Sequence, residues 1–281
     1  MGFLGCGQLV CEILHFVHAF SRYALSLQSQ IAIYRMKLLV CISKAPDTTS
    51  KVAFTDNSTR FNENGVQFII NPYDEWYALV RALELKETLG GTVTVINVGK
   101  ADNEQIIRKA LALGADDAVR IDLDPADAWQ VAANIADYAK TGGFDIIFTG
   151  KETIDYNGGV VGGMIAELLD MPYVVLAAKL DVDGTALNIA QEMEGVKQTV
   201  RVNMPCVVSA QKGMAEARIP NMRGILASKT KPVQVITPGV TQVQSAVKVF
   251  SMPAEKTGCK MISPEQAADL VQLLHNEAKV I

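Results

Sequence analysis

Residues 144–163 read FDIIFTGKETIDYNGGVVGG. The apolar run from Phe144 to Phe148 gives way at Thr149 to a glycine-rich turn carrying Glu152 and Asp155, and then to a helix-forming stretch. In an open α/β sheet a buried strand ends in this way at its carboxyl edge, where ligands sit. The glycines at 158, 159, 162 and 163 let a backbone approach a phosphate closely, and the following helix aims unpaired N–H groups at it. The spacing is neither G-x-G-x-x-G nor a P-loop. On this stretch alone, a phosphate cradle and a loop whose glycines permit tight helix packing both remain open.

Working outward, the same alternation recurs. KLLVCIS (37–43) and the β-branched TVTVINV (92–98) have the length and composition of buried strands. Between them Asn71-Pro72-Tyr73-Asp74 opens a helix, with Asn71 suited to the N-cap, Pro72 to the first helical position and Asp74 to the positive end of the dipole. Trp76, Leu79, Val80 and Leu83 form its apolar stripe, and Gly90-Gly91 stops it. DNEQIIRKALALG reads as a helix closed by Gly114, followed by the short strand AVRI (118–121), a helix near 126–140 and a strand over 144–149. This series predicts an α/β fold: an open, mostly parallel sheet with helices on both faces. Three segments then end at one edge in the same sense, at Cys41 to Lys44, Val98 to Lys100 and Gly150 to Val161.

After Pro172 the texture changes. The stretch through CVVSA alternates around Asp-Gly and Glu-Gly turns and predicts antiparallel strands. Gln211 to Lys231 shows no strong period and reads as a loop of functional length. Ser263-Pro264-Glu265-Gln266 looks like a capping box opening a last helix. His275 falls on that helix as a solvated residue.

With 26 basic against 30 acidic residues, the net charge of −4 provides no general attraction to nucleic acid or anionic lipid. Cys6, Cys11, Cys41, Cys206 and Cys259 are odd in number and scattered, which fits a reducing, cytoplasmic setting rather than a disulfide framework. Residues 1–35 are apolar and helix-like, but Glu12, His15 and His18 interrupt them and Arg22 bounds the run, so no membrane span is expected, and with no basic residue ahead of the apolar core no signal peptide is expected. Cys6, Cys11, His15 and His18 imitate a metal site without a usual zinc spacing, and no metal is expected. Met36 is the expected start of the fold. Asp155 has no partner carboxylate or His at a useful spacing, and Cys41 has no base nearby, so no catalytic residue is assigned.

MKLLVCISKAPD, the text at 71–87, RKALALGADDAVRI (108–121), TGKETIDYNGG and RIPNMRGILASKTKP (218–232), in this order from Met36 to the C-terminus, resemble the β subunit of electron transfer flavoprotein. The resemblance implies a heterodimer in which an α subunit holds most of the FAD contacts while the β subunit buries an AMP in a nucleotide-binding-like, Rossmann-like or adenine nucleotide α-hydrolase-like domain. Such a carrier takes electrons from acyl-CoA dehydrogenases of fatty acid oxidation and passes them to a flavoprotein quinone oxidoreductase. Matched residue by residue, the AMP contacts fall on Cys41, on Asn71, Pro72, Tyr73 and Asp74, on Val98, and on Gly150, Lys151, Glu152, Thr153, Ile154, Asp155, Tyr156, Asn157, Gly158, Gly159, Val160 and Val161. These are the segments that the strand-end argument selects.

The resemblance also divides the chain into an N-terminal extension (1–35), a nucleotide-binding-like domain (36–232) and a C-terminal arm (233–281) reaching the α subunit. Within the loop 211–231 it assigns dehydrogenase docking to Ile219, ahead of Pro220, together with Met222. Pro220 holds Ile219 extended, which turns its side chain outward. Arg218, Arg223, Lys229 and Lys231 would steer an acidic partner. The chain departs from the family in two places. Gly159-Val160-Val161 stands where many members have Asn-Gln-Thr, leaving phosphate contacts to backbone N–H groups, and Gln191 stands where a basic residue is usual. A branch of the family that bifurcates electrons and keeps a second FAD in place of AMP, and a stand-alone adenine-nucleotide-binding stress protein, are the alternative readings.

Overall fold

The computed structural model describes residues 35–255 and 258–281. The apolar extension, with its Cys6, Cys11, His15 and His18, lies outside the described residues apart from Arg35. The chain forms two compact units, one of residues up to 51 with 63–246, the other of 52–62 with 247–281.

The larger unit is built on a nine-stranded sheet. β1 (Met36–Cys41), β6 (Gly91–Val98), β7 (Asp117–Ile121), β8 (Ile146–Gly150) and β13 (Val233–Ile236) join β12 (Cys206–Ala210) and β9 (Tyr173–Asp183) in one parallel array, ordered β9-β12-β8-β1-β6-β7-β13. β10 (Ala186–Met193) and β11 (Val196–Asn203) continue it antiparallel beyond β9. The sequence expectation is corrected at one strand. CVVSA belongs to the parallel core, between β8 and β9, because alternation reports which faces are apolar and not which way a strand runs.

Helices cover both faces, as buried parallel strands require. Leu38 and Val40 of β1 pack with α1 (Asp74–Leu89) and α2 (Glu104–Leu113), while Leu39 and Cys41, one residue out of step, pack with α3 (Ala128–Gly142) and α4 (Val161–Leu169). Leu79, Val80 and Leu83 of the expected stripe are buried, and Gly90 ends α1. Asp127 caps α3 by accepting from Gln130 N–H at 2.9 Å, and its other oxygen accepts from the amides of Gln244 and Ser245 at 2.6 and 2.8 Å. Asn134, deeper in α3, accepts from Gly239 and Val240 N–H and donates to Val240 C=O, so residues 239–245 lie as a strap along that helix. A short hairpin, β2 (Lys44–Pro46) with β5 (Phe68–Ile70), completes this unit.

The smaller unit holds the hairpin β3 (Phe54–Thr55) and β4 (Arg60–Phe61), with Phe54 stacked on Phe250 at 4.9 Å between ring centroids. Its last helix begins as a single 3-10 turn (Pro264–Gln266) and continues as α6 (Ala267–Leu273). The expected capping box does not form. Ser263 Oγ donates to Glu265 Oε2 at 2.6 Å, which occupies both side chains two residues apart. His275 is exposed, and Leu270 and Val271 of the apolar face are 44 % and 56 % exposed. Among the described residues no helix is long and apolar enough to cross a membrane.

Candidate functional site

The parallel register brings the ends of β1, β6 and β8 to one edge, since Cys41 lies opposite Ile96 and Leu38 opposite Ile146. A buried polar framework ties these ends together. Asn97 Nδ2 donates to Ile42 C=O and Asn103 Nδ2 to Asn97 Oδ1, each at 2.9 Å, which fixes the end of β6 to that of β1. Arg120 Nη1 donates to Gly99 C=O at 2.9 Å from the next strand. Glu75, on the second residue of α1, accepts from Ser43 N–H at 2.6 Å and from Ser43 Oγ at 2.8 Å. On its other side Glu75 packs against the end of β8, where a Cβ on Gly150 would come within 2.7 Å of its Cγ.

Asn71 is fully buried, and it does not cap α1 as its place in the sequence suggests. Its Nδ2 donates to Glu152 C=O and its Oδ1 accepts from Ile154 N–H, both at 2.9 Å, so it clamps the loop after β8. The residue at the helix start is Tyr73, at φ 67° and ψ −93° with no side-chain cap. That conformation is close to the rare γ-turn, strained for an aromatic residue, and it turns the chain sharply into α1. The first amides of α4, behind Val160, likewise have no side-chain cap.

The residues proposed from sequence therefore occupy three situations. Cys41 and Val98 are buried among apolar residues of the α3 and α4 face, so only their backbone reaches the edge. Asn71 is fully buried behind a half-buried wall of Pro72, Asp74 and Gly150 to Ile154, with Thr153 C=O accepting from Asn157 N–H. Tyr73, Asp155, Tyr156, Asn157, Gly158, Gly159 and Val160 are exposed, while Val161 starts α4 half-buried.

Burial pushes the Glu75 carboxyl up to about 8, against the pull of the two Ser43 bonds, and Asp155 and Asp74 push in the same direction. Burial also raises Asp74, which Lys151 partly offsets. Cys41 is driven far up by burial, so it offers no thiolate. Lys151 is paired with Glu152 at 2.7 Å. Among the described residues no acid and base are arranged around a common point, and the edge offers backbone donors, carboxylate acceptors and the ammonium groups of Lys44, Lys100 and Lys151, each paired with a carboxylate. This chemistry can hold a polar ligand. At α4, Thr149 Oγ1 is buried without a partner, 2.7 Å from the position a Cβ on Gly162 would take, and Tyr173 Oη lies 2.9 Å from the same position. The uncapped first amides of α4 leave hydrogen-bonding capacity that a phosphate can use, and Asp74 and Asp155 can accept from ribose hydroxyls.

Sequence reasoning missed Ser43, Glu75, Asn97 and Asn103. Two of them carry a legible signal. Glu75 shares a helical face with the buried Leu79 and Ala82, and Asn97 interrupts a β-branched strand; a polar side chain in a core position demands a partner.

A second surface lies on 211–231. The segment read as a loop contains a helix, α5 (Met222–Ser228), capped by Asn221 through Gly224 N–H at 2.8 Å. Gly224 lets it sit directly on the Ala112 carbonyl of α2, and Arg108 donates to Ser228 and Lys231 C=O at 2.7 and 2.5 Å. Lys231 is half-buried and donates to Leu111 and Ala115 C=O, and Arg218 is paired with Glu87, so of the four expected steering charges only Arg223 and Lys229 remain exposed without an ion-pair partner among the described residues. Between these anchors Ile219 is 92 % exposed, Met222 70 % and Leu226 60 %. A groove of about 1040 Å³, floored by Trp76 and Tyr77 and walled by Arg108, Lys109, Pro220 and Ile225, runs beside them.

Comparison with known proteins places these features in a family. A family model described as the electron transfer flavoprotein domain matches residues 58–240. The chain is 35 % identical to the electron transfer flavoprotein subunit beta of Bacillus subtilis (strain 168) over 260 residues, covering 88 % of this chain and all of that relative. It is 32 % identical to the subunit of the same name from Syntrophomonas wolfei, over 87 % of this chain and 98 % of the relative, and 30 % identical to the human one, over 87 % and 99 %.

Proposed function

The chain belongs to the electron transfer flavoprotein β-subunit family, and from that premise we propose that it is the β subunit of a heterodimer that carries electrons and converts no substrate itself. The α subunit holds most of the FAD contacts, and FAD supplies the electron transfer; this chain supplies binding, positioning and a docking surface. It holds one AMP at the sheet edge between Cys41 to Ser43, Asn71 to Glu75, Val98 and Gly150 to Val161. The observation that carries this reading is the juxtaposition of strand ends with two helices whose first amides have no side-chain cap. The phosphate lies toward Gly158 to Gly163 on backbone N–H groups, away from Glu152 and Asp155. The electron donors are acyl-CoA dehydrogenases docking on Ile219, Pro220 and Met222, the acceptor is a flavoprotein quinone oxidoreductase, and the working place is the cytoplasm.

The test is co-production with an α subunit, a visible absorption spectrum, and acid extraction of the purified complex. A yellow heterodimer releasing about one adenylate and about one FAD is expected. About two FAD and no AMP would assign the site to a second flavin, and a colourless, stable monomer binding ATP would overturn the reading.

A further inference from the structure

We propose that Glu75 is the positioning residue of the nucleotide site, a wedge that sets the spacing of the ends of β1 and β8 between which the ligand lies. The inference rests on the adenylate reading above and adds to it a residue that touches no ligand. Both carboxylate oxygens are used by Ser43, one by the backbone amide and one by the hydroxyl, so the turn leaving β1 cannot shift without breaking two bonds. The methylene side of the same residue abuts Gly150, the last residue of β8, where a side chain would collide with it. The contact thus closes a path from Ser43 through α1 to Gly150, and Asn71 extends it to Glu152 and Ile154. Glu75 is 6 % exposed on a helical face otherwise apolar, where burying a carboxyl is costly unless its hydrogen bonds are made, as they are here to Ser43.

The position also couples the site to pH. The titratable groups facing Glu75 are Cys41 from β1, Asp74 from its own helix and Asp155 from the loop after β8; Lys151 acts on Asp74 and is paired with Glu152. A neutral Glu75 carboxyl keeps both Ser43 contacts, accepting from the amide and sharing a proton with the hydroxyl. As pH rises past about 8 the carboxyl ionises, adding a further negative charge to Asp74 and Asp155 beside an anionic ligand. Binding of AMP then weakens by about tenfold.

The experiment titrates AMP into the nucleotide-stripped heterodimer between pH 6.5 and 9 and follows amide exchange at 41–43 and 150–154. Glu75→Ala is expected to bind AMP about tenfold or more weakly at pH 7 and to lose protection at both segments together. Glu75→Gln recovers most of that loss and abolishes the weakening above pH 8. Equal AMP affinity in wild type and Glu75→Ala overturns the role of Glu75 and leaves the adenylate site standing. Failure of wild type itself to bind AMP overturns the adenylate reading and this role with it. Should Glu75→Ala not fold, Ser43→Ala, which removes the hydroxyl bond to Glu75, decides, and AMP affinity and exchange at 150–154 equal to wild type overturn the proposal.

Discussion

Arg218 and Glu87 are joined by two parallel N–H···O bonds of 2.7 and 2.9 Å across 131 residues of sequence. The pair fastens the start of the segment proposed for docking to the last turns of α1, and the guanidinium holds the Glu87 carboxyl below its ordinary range. Being half open to solvent, it contributes only about 0.5 kcal/mol to stability, yet a fork of this geometry fixes direction. Glu87→Gln should leave the melting temperature within about 1–2 °C of wild type and raise the apparent KM of a docking dehydrogenase about two- to fivefold. Steady-state kinetics at low and high salt check this, and an unchanged KM would show that the segment is oriented from α5 alone.

Ile219 has almost no contact with its own chain, so truncating it removes nothing from the core. Ile219→Ala should leave thermal stability and cofactor content unchanged. If the side chain is buried in a partner pocket, its loss costs roughly 1–3 kcal/mol of docking, and the apparent KM for the carrier rises by about 5- to 100-fold. A variant that melts early yet keeps wild-type kinetics would contradict both the exposure and the docking role.

Gly159 has φ +62° and open space around the position of a Cβ, with only the Lys151 carbonyl at 3.6 Å. Asn and Asp tolerate this left-handed conformation about equally, so the two substitutions separate strain from charge. Gly159→Asn should keep most of the bound adenylate. Gly159→Asp should lose about 90 % of it, because a carboxylate then stands beside the phosphate. Nucleotide released by acid from the purified complexes measures both, and equal release would remove the phosphate from this loop.

Asp127 serves α3 and the strap at once. Slight burial pulls its carboxyl upward, but the bonds from the amides of Gln130, Ser245 and Gln244 outweigh this and hold it below its ordinary range. With its folded pKa below the unfolded value, its contribution is present at neutral pH and is lost as pH falls below about 4. Asp127→Ala should destabilise the fold by about 1 kcal/mol and raise amide exchange at 239–246. Mass-resolved hydrogen exchange reads the second effect; protection unchanged in that segment would show that Asn134 and Gln130 suffice.

The sheet was legible because its strands are short apolar runs, LLVC, TVTVINV and IIF among them, the last two meeting glycine within two residues, and helical stripes lie between the runs. What the sequence concealed was non-local. Asn71 has the neighbours of a helix cap, yet its partners lie 81 and 83 residues further on. The direction of β12 depends on a slot between β8 and β9 that no period of two encodes. Helix α5 has seven residues and a weak stripe, and it rests on the Gly224 approach to α2 and on Arg108, neither visible as propensity. The sequence argument picked out backbone ends at one edge of the sheet, took Asn71 for a cap, and passed over Ser43, Glu75, Asn97 and Asn103, the side chains that tie those ends together.

The insertion of β12 between β8 and β9 has a consequence for the newborn chain. Synthesis delivers β8 early, but its outer neighbour arrives only after α4 and the whole meander β9–β11 have been made. Until Cys206–Ala210 has left the ribosome, the Ile146, Ile147 and Phe148 strand has one unpaired edge, while β9–β11 can form only local hairpins. The centre of the sheet therefore closes late, with β13 and the strap still to follow at the far edge, and that interval is when an unfinished chain most needs a chaperone. Ribosome-stalled chains should turn protease-resistant abruptly once residue 210 has cleared the exit tunnel, with little protection gained at any shorter length.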